Sequence, residues 1–168
     1  MKSLHIAAPM LAAFLLATAP AQARPMSAPA PVALPVAAAD GVVQLRSVNG
    51  FDDTVARLKA DVAAKGIRFF DAIDQSALGA SAELKIRRST LVLFGNPPLG
   101  VQFLQSNPYA GLDWPVRMLV IEDADGSIWV AWTDFGFIAK RYAITDKVAQ
   151  FKMAGEVAGS IATAATTR

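Results

Sequence analysis

The sequence predicts an α/β (α+β) fold: a two-layer sandwich in which a mixed β-sheet carries helices mainly on one face, in the order β-α-β-α-β-α-β-β-α. Three stretches carry that prediction. FDDTVARLKADVAAKG, residues 51–66, places Val55, Leu58 and Val62 at helical spacing between two runs of strand length. STLVLFG, residues 89–95, is nearly continuous in apolar residues, the pattern of a strand buried on both faces. Asp125-Gly126 separates two apolar runs of strand length, a strong hairpin signal.

Each element follows from local chemistry. GVVQLRSV (41–48) reads as a first strand, broken by Asn49-Gly50. The helix after it has two aspartates at its positive N-terminal end, and Gly66 stands where a left-handed C-terminal residue belongs. IRFFDAI (67–73) reads as a second strand, and residues 74–84 as a turn into a short helix capped by Asp74 or Ser76. After STLVLFG come an Asn-Pro-Pro turn and a helix through LGVQFLQSN, which Pro108 ends or turns. VRMLVIED (116–123) and SIWVAWTD (127–134) form the hairpin. Its second strand carries apolar area on both sides, so one face should meet helices while the other needs a second cover, for which a partner subunit is the candidate. Residues 135–144 have helical potential. A last helix, capped by Thr145, traces Ile144, Val148, Phe151, Ala158 and Ile161 along one stripe. Its Gly155 and Gly159 make a GxxxG spacing among charged neighbours, which points to close helix packing or tolerance and not to a membrane dimer. The connections between the early strands are long enough for parallel crossovers, hence the expectation of a mixed sheet.

The N-terminus sets which residues count toward that fold. MKSLHIAAPMLAAFLLATAPAQA, residues 1–23, has a lysine, an apolar stretch and a closing Ala-Gln-Ala, the pattern of a cleaved secretory signal. The apolar stretch is short against the ~20 residues that span a bilayer, so cleavage is expected over a retained anchor, leaving no membrane span and a periplasmic or secreted protein. Residues 24–40, Pro/Ala-rich, read as a disordered linker, and residues 41–165 as a single domain.

Loss of the leader removes Lys2 and leaves 15 Lys+Arg against 14 Asp+Glu, so the mature chain is close to neutral. Its cations are scattered, which argues against a nucleic-acid surface. Cysteine is absent and the one histidine, His5, lies in the leader. That double absence excludes imidazole or thiolate metal sites, Ser-His-Asp and Cys-His catalysis, and covalent haem attachment. No metal site and no cofactor is expected; EDADG (122–126), the nearest approach to a calcium loop, reads as the hairpin turn.

LVLFGNPPLG (91–100) poses the sharpest functional question, because a strand, a glycine and a helix N-terminus often hold phosphate. Here Pro97 and Pro98 offer no N–H, and the Asn96 side chain is expected to take the N–H of Leu99 as an ordinary cap. The functional alternative is Asn96 as a polar rim at the end of a buried strand.

FDDTVARLKADVAAKGIRFFDAIDQSALG, LVLFGNPPLGVQFLQSNPYAGLDWPVRMLVIEDADGSIWVAWTD and FIAKRY, in that order, make the chain similar to the domain of unknown function family 302, a small bacterial and archaeal α/β domain. The resemblance covers about residues 42–150 and rests on the helix ending in Lys-Gly, the Phe-Gly-Asn-Pro turn and the LDWP segment together. It implies a two-layer domain that forms dimers, and brings no activity. Family members commonly have histidine where this chain has Gln75 and Tyr142, so a histidine-dependent site of relatives would be missing here.

Three functional expectations follow. The first is an exported small-ligand-binding or accessory domain acting as a homodimer, with Asn96, Asp113, Trp114, Asp134, Lys140 and Arg141 as candidate ligand residues at strand ends. Each can equally be a cap, a surface charge or a core aromatic. The second is a hydrolase or isomerase using Asp74, Asp113 and Asp134 as acid and base, which requires two of them across one pocket. The third is a protein-interaction platform in the cell envelope, which a flat exposed apolar face would favour.

Overall fold

The computed structural model describes residues 40–168. The expected leader and all but the last residue of the expected linker lie outside the described residues. Five strands, β1 (Val42–Arg46), β2 (Arg68–Asp74), β3 (Ser89–Gly95), β4 (Val116–Glu122) and β5 (Ile128–Thr133), form one sheet in the spatial order β1-β5-β4-β3-β2. Five helices accompany them: α1 (Phe51–Ala64), α2 (Gln75–Ser81), α3 (Pro97–Ser106), α4 (Phe135–Arg141) and α5 (Val148–Thr166). The element order is roughly the expected one, with a 3-10 turn, Pro108–Asp113, inserted before β4 and a separate helix, α4, between β5 and the last helix.

The sheet is antiparallel at all four pairings, not mixed. β1 and β2 do run the same way and α1 does cross between them, but they occupy opposite edges with three strands between, so the crossover creates no parallel pair. The other two connections, through α2 and through α3, join antiparallel neighbours. A connection's length permits a crossover without requiring that the strands it joins be adjacent.

One face of the sheet carries the core. Alternation directs Val92, Met118, Val120 and Val130 onto α1 and α5, where they meet Leu58, Val62 and Ile161, all essentially without solvent contact. Each such side chain contributes roughly 1.5–3 kcal/mol of burial. α1 begins with Asp52 and Asp53 in its first turn, and Gly66 at φ +65° reverses the chain into β2 as expected. α5 starts two residues later than a Thr145 cap predicts, with Lys147 at the N-cap and Val148 exposed instead of in the buried stripe. Ala143 at φ +52° turns the chain, Ile144 buries itself ahead of the helix, and the Asp146 carboxylate is held by Ser106 Oγ at 2.9 Å, so the polypeptide is still irregular where the cap was expected.

On the opposite face the register aligns Leu91, Leu119 and Ala131, with Ile121 beside Trp129. These side chains remain partly exposed. A groove of about 1050 Å³ lies on this face, lined by Leu119, Ile121 and Trp129 together with Lys85, Ile86 and Arg87 from the segment before β3.

Candidate functional site

Strand direction gathers the candidate residues at one end of the sheet. Asn96 follows β3, Asp113 and Trp114 precede β4, Asp134 follows β5, and Lys140 and Arg141 close α4. There they separate into distinct surroundings, of which one is a cavity.

That cavity, about 360 Å³, opens where the end of β3 meets the start of α3 and the middle of α5. Phe94, Leu99, Val116, Phe135 and Val157 supply an apolar wall, and Ala154 and Ala158, one turn apart on α5, keep it from being filled. Met153, half exposed, stands at the mouth. Two polar side chains border it, Lys65 and Asn96. The Lys65 ammonium lies 2.5 Å from Asp61 Oδ2, one turn back along α1.

Asn96 does occupy the N-cap position of α3, but its side chain makes no capping bond. The N–H groups of Leu99 and Gly100 instead donate to the Asn96 carbonyl, at 3.0 and 2.8 Å. With Pro97 and Pro98 lacking N–H groups, the carbonyl alone satisfies the first available donors. The carboxamide is therefore exposed at the cavity rim with no hydrogen bond among the described residues, and the expected Asn96 to Leu99 cap is corrected.

Asp113 and Arg141 come together in a second arrangement. The Asp113 carboxylate is buried and accepts from Tyr142 Oη at 2.6 Å, from Arg141 Nη1 at 3.4 Å, and from Arg117 Nη2. The hydrogen bond to Asp113, then burial, raise the Tyr142 hydroxyl above its ordinary value of 10.0, so the phenol stays protonated as the donor. Every oxygen of that carboxylate is engaged by the fold, which makes it an anchor between the 3-10 turn, β4 and α4.

The remaining candidates lie in other surroundings. The Trp114 indole lies against Gly95 and Gly100 and meets Phe70 edge-on at 5.8 Å between centroids. Asp134 caps α4 by accepting from Phe137 N at 2.7 Å. Lys140 is exposed and its ammonium makes no hydrogen bond or ion pair among the described residues. Asp74 caps α2 through Ala77 N at 3.0 Å. Asp74, Asp113 and Asp134 each border a different pocket among the described residues, not one shared pocket.

Residues 43–165 match the family described as Domain of unknown function DUF302. The chain belongs to that family. Its fold is similar to that of an uncharacterized conserved DUF302 protein from Bacillus stearothermophilus, known from a crystal structure, with a TM-score of 0.68 and 11% identity over 74% of this chain and 98% of that one. At that identity the likeness shows the fold alone. The DUF302 chain is also 31% identical over 104 residues to proteins named Fluoride-specific ion channel FluC 1 from Brucella suis biovar 1 (strain 1330) and from Brucella abortus biovar 1 (strain 9-941). That match covers 62% of this chain and 41% and 38% of theirs, so the chain spans about two fifths of the length of these relatives. Among the described residues of the DUF302 protein, no helix is long and apolar enough to cross a membrane.

Gln75 and Tyr142, the two positions where the resemblance implies histidine, lie at opposite ends of the sheet here. Gln75 follows β2 and accepts from Ser89 Oγ at 2.6 Å, while Tyr142 follows α4 and holds Asp113. Sequence reasoning missed Lys65, Met153, Ala154 and Val157 as cavity residues. The available signal was small residues, Ala154 and Ala158, on the buried face of a helix opposite an aromatic strand end; alone they read as ordinary close packing.

Proposed function

We propose that this DUF302 domain is an exported small-ligand-binding domain that works as a homodimer. One observation carries the ligand-binding reading: an apolar cavity of about 360 Å³ whose rim presents the unengaged carboxamide of Asn96. Pockets that hold small molecules start at ~300 Å³ and combine apolar walls with few polar groups. Export is supported by the leader pattern in residues 1–23.

The homodimer is supported by the open sheet face. Five strands at ~4.8 Å spacing and about six residues at ~3.3 Å give a face of roughly 24 by 20 Å. With side-chain relief and the overhanging segment 85–88, that approaches the ~800 Å² per partner of a standard interface. Lys85 and Arg87 line one part of the groove there and Glu122 and Asp123 another, so a two-fold mate can set opposite charges against each other.

The test is native mass spectrometry of protein purified from its own cell envelope, alongside Met153→Trp, which closes the mouth of the cavity at an exposed position. A bound small molecule on the wild type, lost from the variant with its melting temperature unchanged, is the expected result. A bare wild-type protein removes the ligand-binding reading.

The named relatives favour a second reading, an accessory or interaction domain of envelope transport proteins. A domain similar to this one makes up about two fifths of chains named as fluoride-specific ion channels. Cross-linking in the native envelope tests this reading, and recovery of a membrane transporter in place of a second copy would favour it over the homodimer.

A further inference from the structure

We infer that the cavity takes a neutral ligand with an amide head and an apolar body, in preference to a carboxylic acid or an amine; the inference rests on the proposal that this cavity is the binding site. Three features of the site point the same way.

Charge comes first. Among the described residues Lys65 is the one cation on the lining, and it is already paired with Asp61 at 2.5 Å. The other lining groups carry no ionisable side chain. A carboxylate seated here must break that ion pair or stay uncompensated against Phe94, Val116 and Phe135, and an ammonium finds no free anion at all. An uncompensated ion beside apolar walls is the most disfavoured occupant of such a space. A neutral head avoids the penalty.

Hydrogen bonding comes second. The Asn96 carboxamide presents an acceptor oxygen and a donor nitrogen side by side, neither engaged by the fold. An amide offers the complementary donor and acceptor, so the two groups can form a reciprocal pair of hydrogen bonds. A carboxylate accepts from the nitrogen but sets its own oxygen against Asn96 Oδ1; an ammonium has the converse mismatch. The backbone offers no competing anion site, because Pro97 and Pro98 have no N–H and the Leu99 and Gly100 amides are engaged by the Asn96 carbonyl.

Size comes third. A volume of about 360 Å³ corresponds to about a dozen waters at ~30 Å³ each, so a ligand of about eight to twelve non-hydrogen atoms fits.

The test titrates the full mature chain with heptanamide, heptanoate and heptylamine, following amide chemical shifts around Phe94 and Val157. Heptanamide is expected to bind at least about tenfold more tightly than the other two, by the loss of one good hydrogen bond and the mispairing of another. Asn96→Leu, at an exposed position with no side-chain capping bond, is expected to erase most of that preference, whereas in Lys65→Met heptanamide is expected still to bind more tightly than heptanoate. Heptanoate binding as tightly as heptanamide, with the tightness lost in Lys65→Met, would overturn the head-group assignment while leaving the cavity as the site. Failure of all three probes to move the cavity resonances would overturn the site itself.

Discussion

Gly100→Ala is expected to destabilise the domain even though alanine is the better helix former. Gly100 is the fourth residue of α3, and a Cβ built on it would stand 2.5 Å from Cδ1 of Trp114 and closer still to Cε2 and Nε1. Carbon contacts settle at ~3.5–4 Å, so the indole must move by about 1–2 Å. It cannot move in place, because its other atoms lie against Gly95 and its ring meets Phe70 edge-on. A tryptophan buries ~150–250 Å², and exposing roughly half of that costs about 2.5 kcal/mol at ~25 cal/mol per Å². Losing the aromatic contact adds ~0.5 kcal/mol or more, and the alanine returns up to ~1 kcal/mol of helix propensity. The net is about 2 kcal/mol of destabilisation, or roughly 6–10 °C in melting temperature for a domain of this size. Gly159→Ala is the internal control. Gly159 lies inside α5 with nothing within 4 Å of the position its Cβ would take, so the same substitution is expected to stabilise by ~0.5–1 kcal/mol. Thermal and urea unfolding of both variants, followed by tryptophan fluorescence, separates the two effects. If Gly100→Ala raises the melting temperature as Gly159→Ala does, the packing of Trp114 on the start of α3 is not what determines stability there.

Tyr142→Phe is expected to cost about 1–2 kcal/mol, since it removes a hydrogen bond to a buried carboxylate. Because the Tyr142 hydroxyl is raised above 10.0 in the fold, its contribution is fully present below the unfolded value and is lost as pH rises through the folded one; urea titrations at pH 8 and 11 should show the wild type losing stability that the phenylalanine variant does not lose. Asp113→Asn leaves Arg117 and Arg141 facing each other with no anion between them and is expected to cost about 2 kcal/mol, discounted from a fully buried pair because both guanidinium groups are half exposed; a melting temperature within 2 °C of wild type would refute the anchor role. If the proposed homodimer forms through the open sheet face, Leu119→Arg there is expected to convert it to monomer in light scattering while the circular dichroism spectrum is retained, and an unchanged mass would place any dimer contact elsewhere. At acid pH, Asp74 and Asp146, both lowered from 3.8 chiefly by hydrogen bonds from Ser76 and Lys147 respectively, contribute stability that is present above the unfolded value and is lost as pH falls through the folded one, so the acid limb of the stability curve should lie below pH 4.

Local rules made much of the fold legible. Gly66, the Asp125-Gly126 hairpin and the aspartate cap of α2 are each decided within a few residues of chain, and each stands where its chemistry predicts. Adjacency in the sheet is not local. Nothing in the helical run of residues 51–64 states that β5, β4 and β3 will lie between the strands it joins, and the expectation of parallel pairs failed there. The candidate site was legible to the same limit. Strand polarity correctly brings Asn96, Asp113, Trp114 and Asp134 to one end of the sheet, but whether a polar side chain is consumed by the fold depends on partners distant in sequence. Tyr142 reaches across 29 positions to saturate Asp113, while Asn96, with the strongest local case for being a cap, is left unengaged.

The Asn-Pro-Pro turn links stability to the site. Two prolines remove the backbone donors that would make the start of α3 attractive to an anion, and the Asn96 carbonyl takes the next two, leaving the carboxamide as the polar feature the turn presents to the cavity. Trp114 braces this arrangement from behind, since the indole that fills the space over Gly100 also lies against Gly95, and Gly95 is part of the cavity lining. A side chain at Gly100 therefore shifts the same segment that positions Asn96. The variant predicted to melt early should also lose its preference for the amide probe at temperatures where it is still folded, whereas Gly159→Ala, which touches neither Trp114 nor the lining, should keep it. Loss of stability without loss of that preference would show that the turn and the cavity wall move independently, and that the carboxamide's position is set by β3 alone.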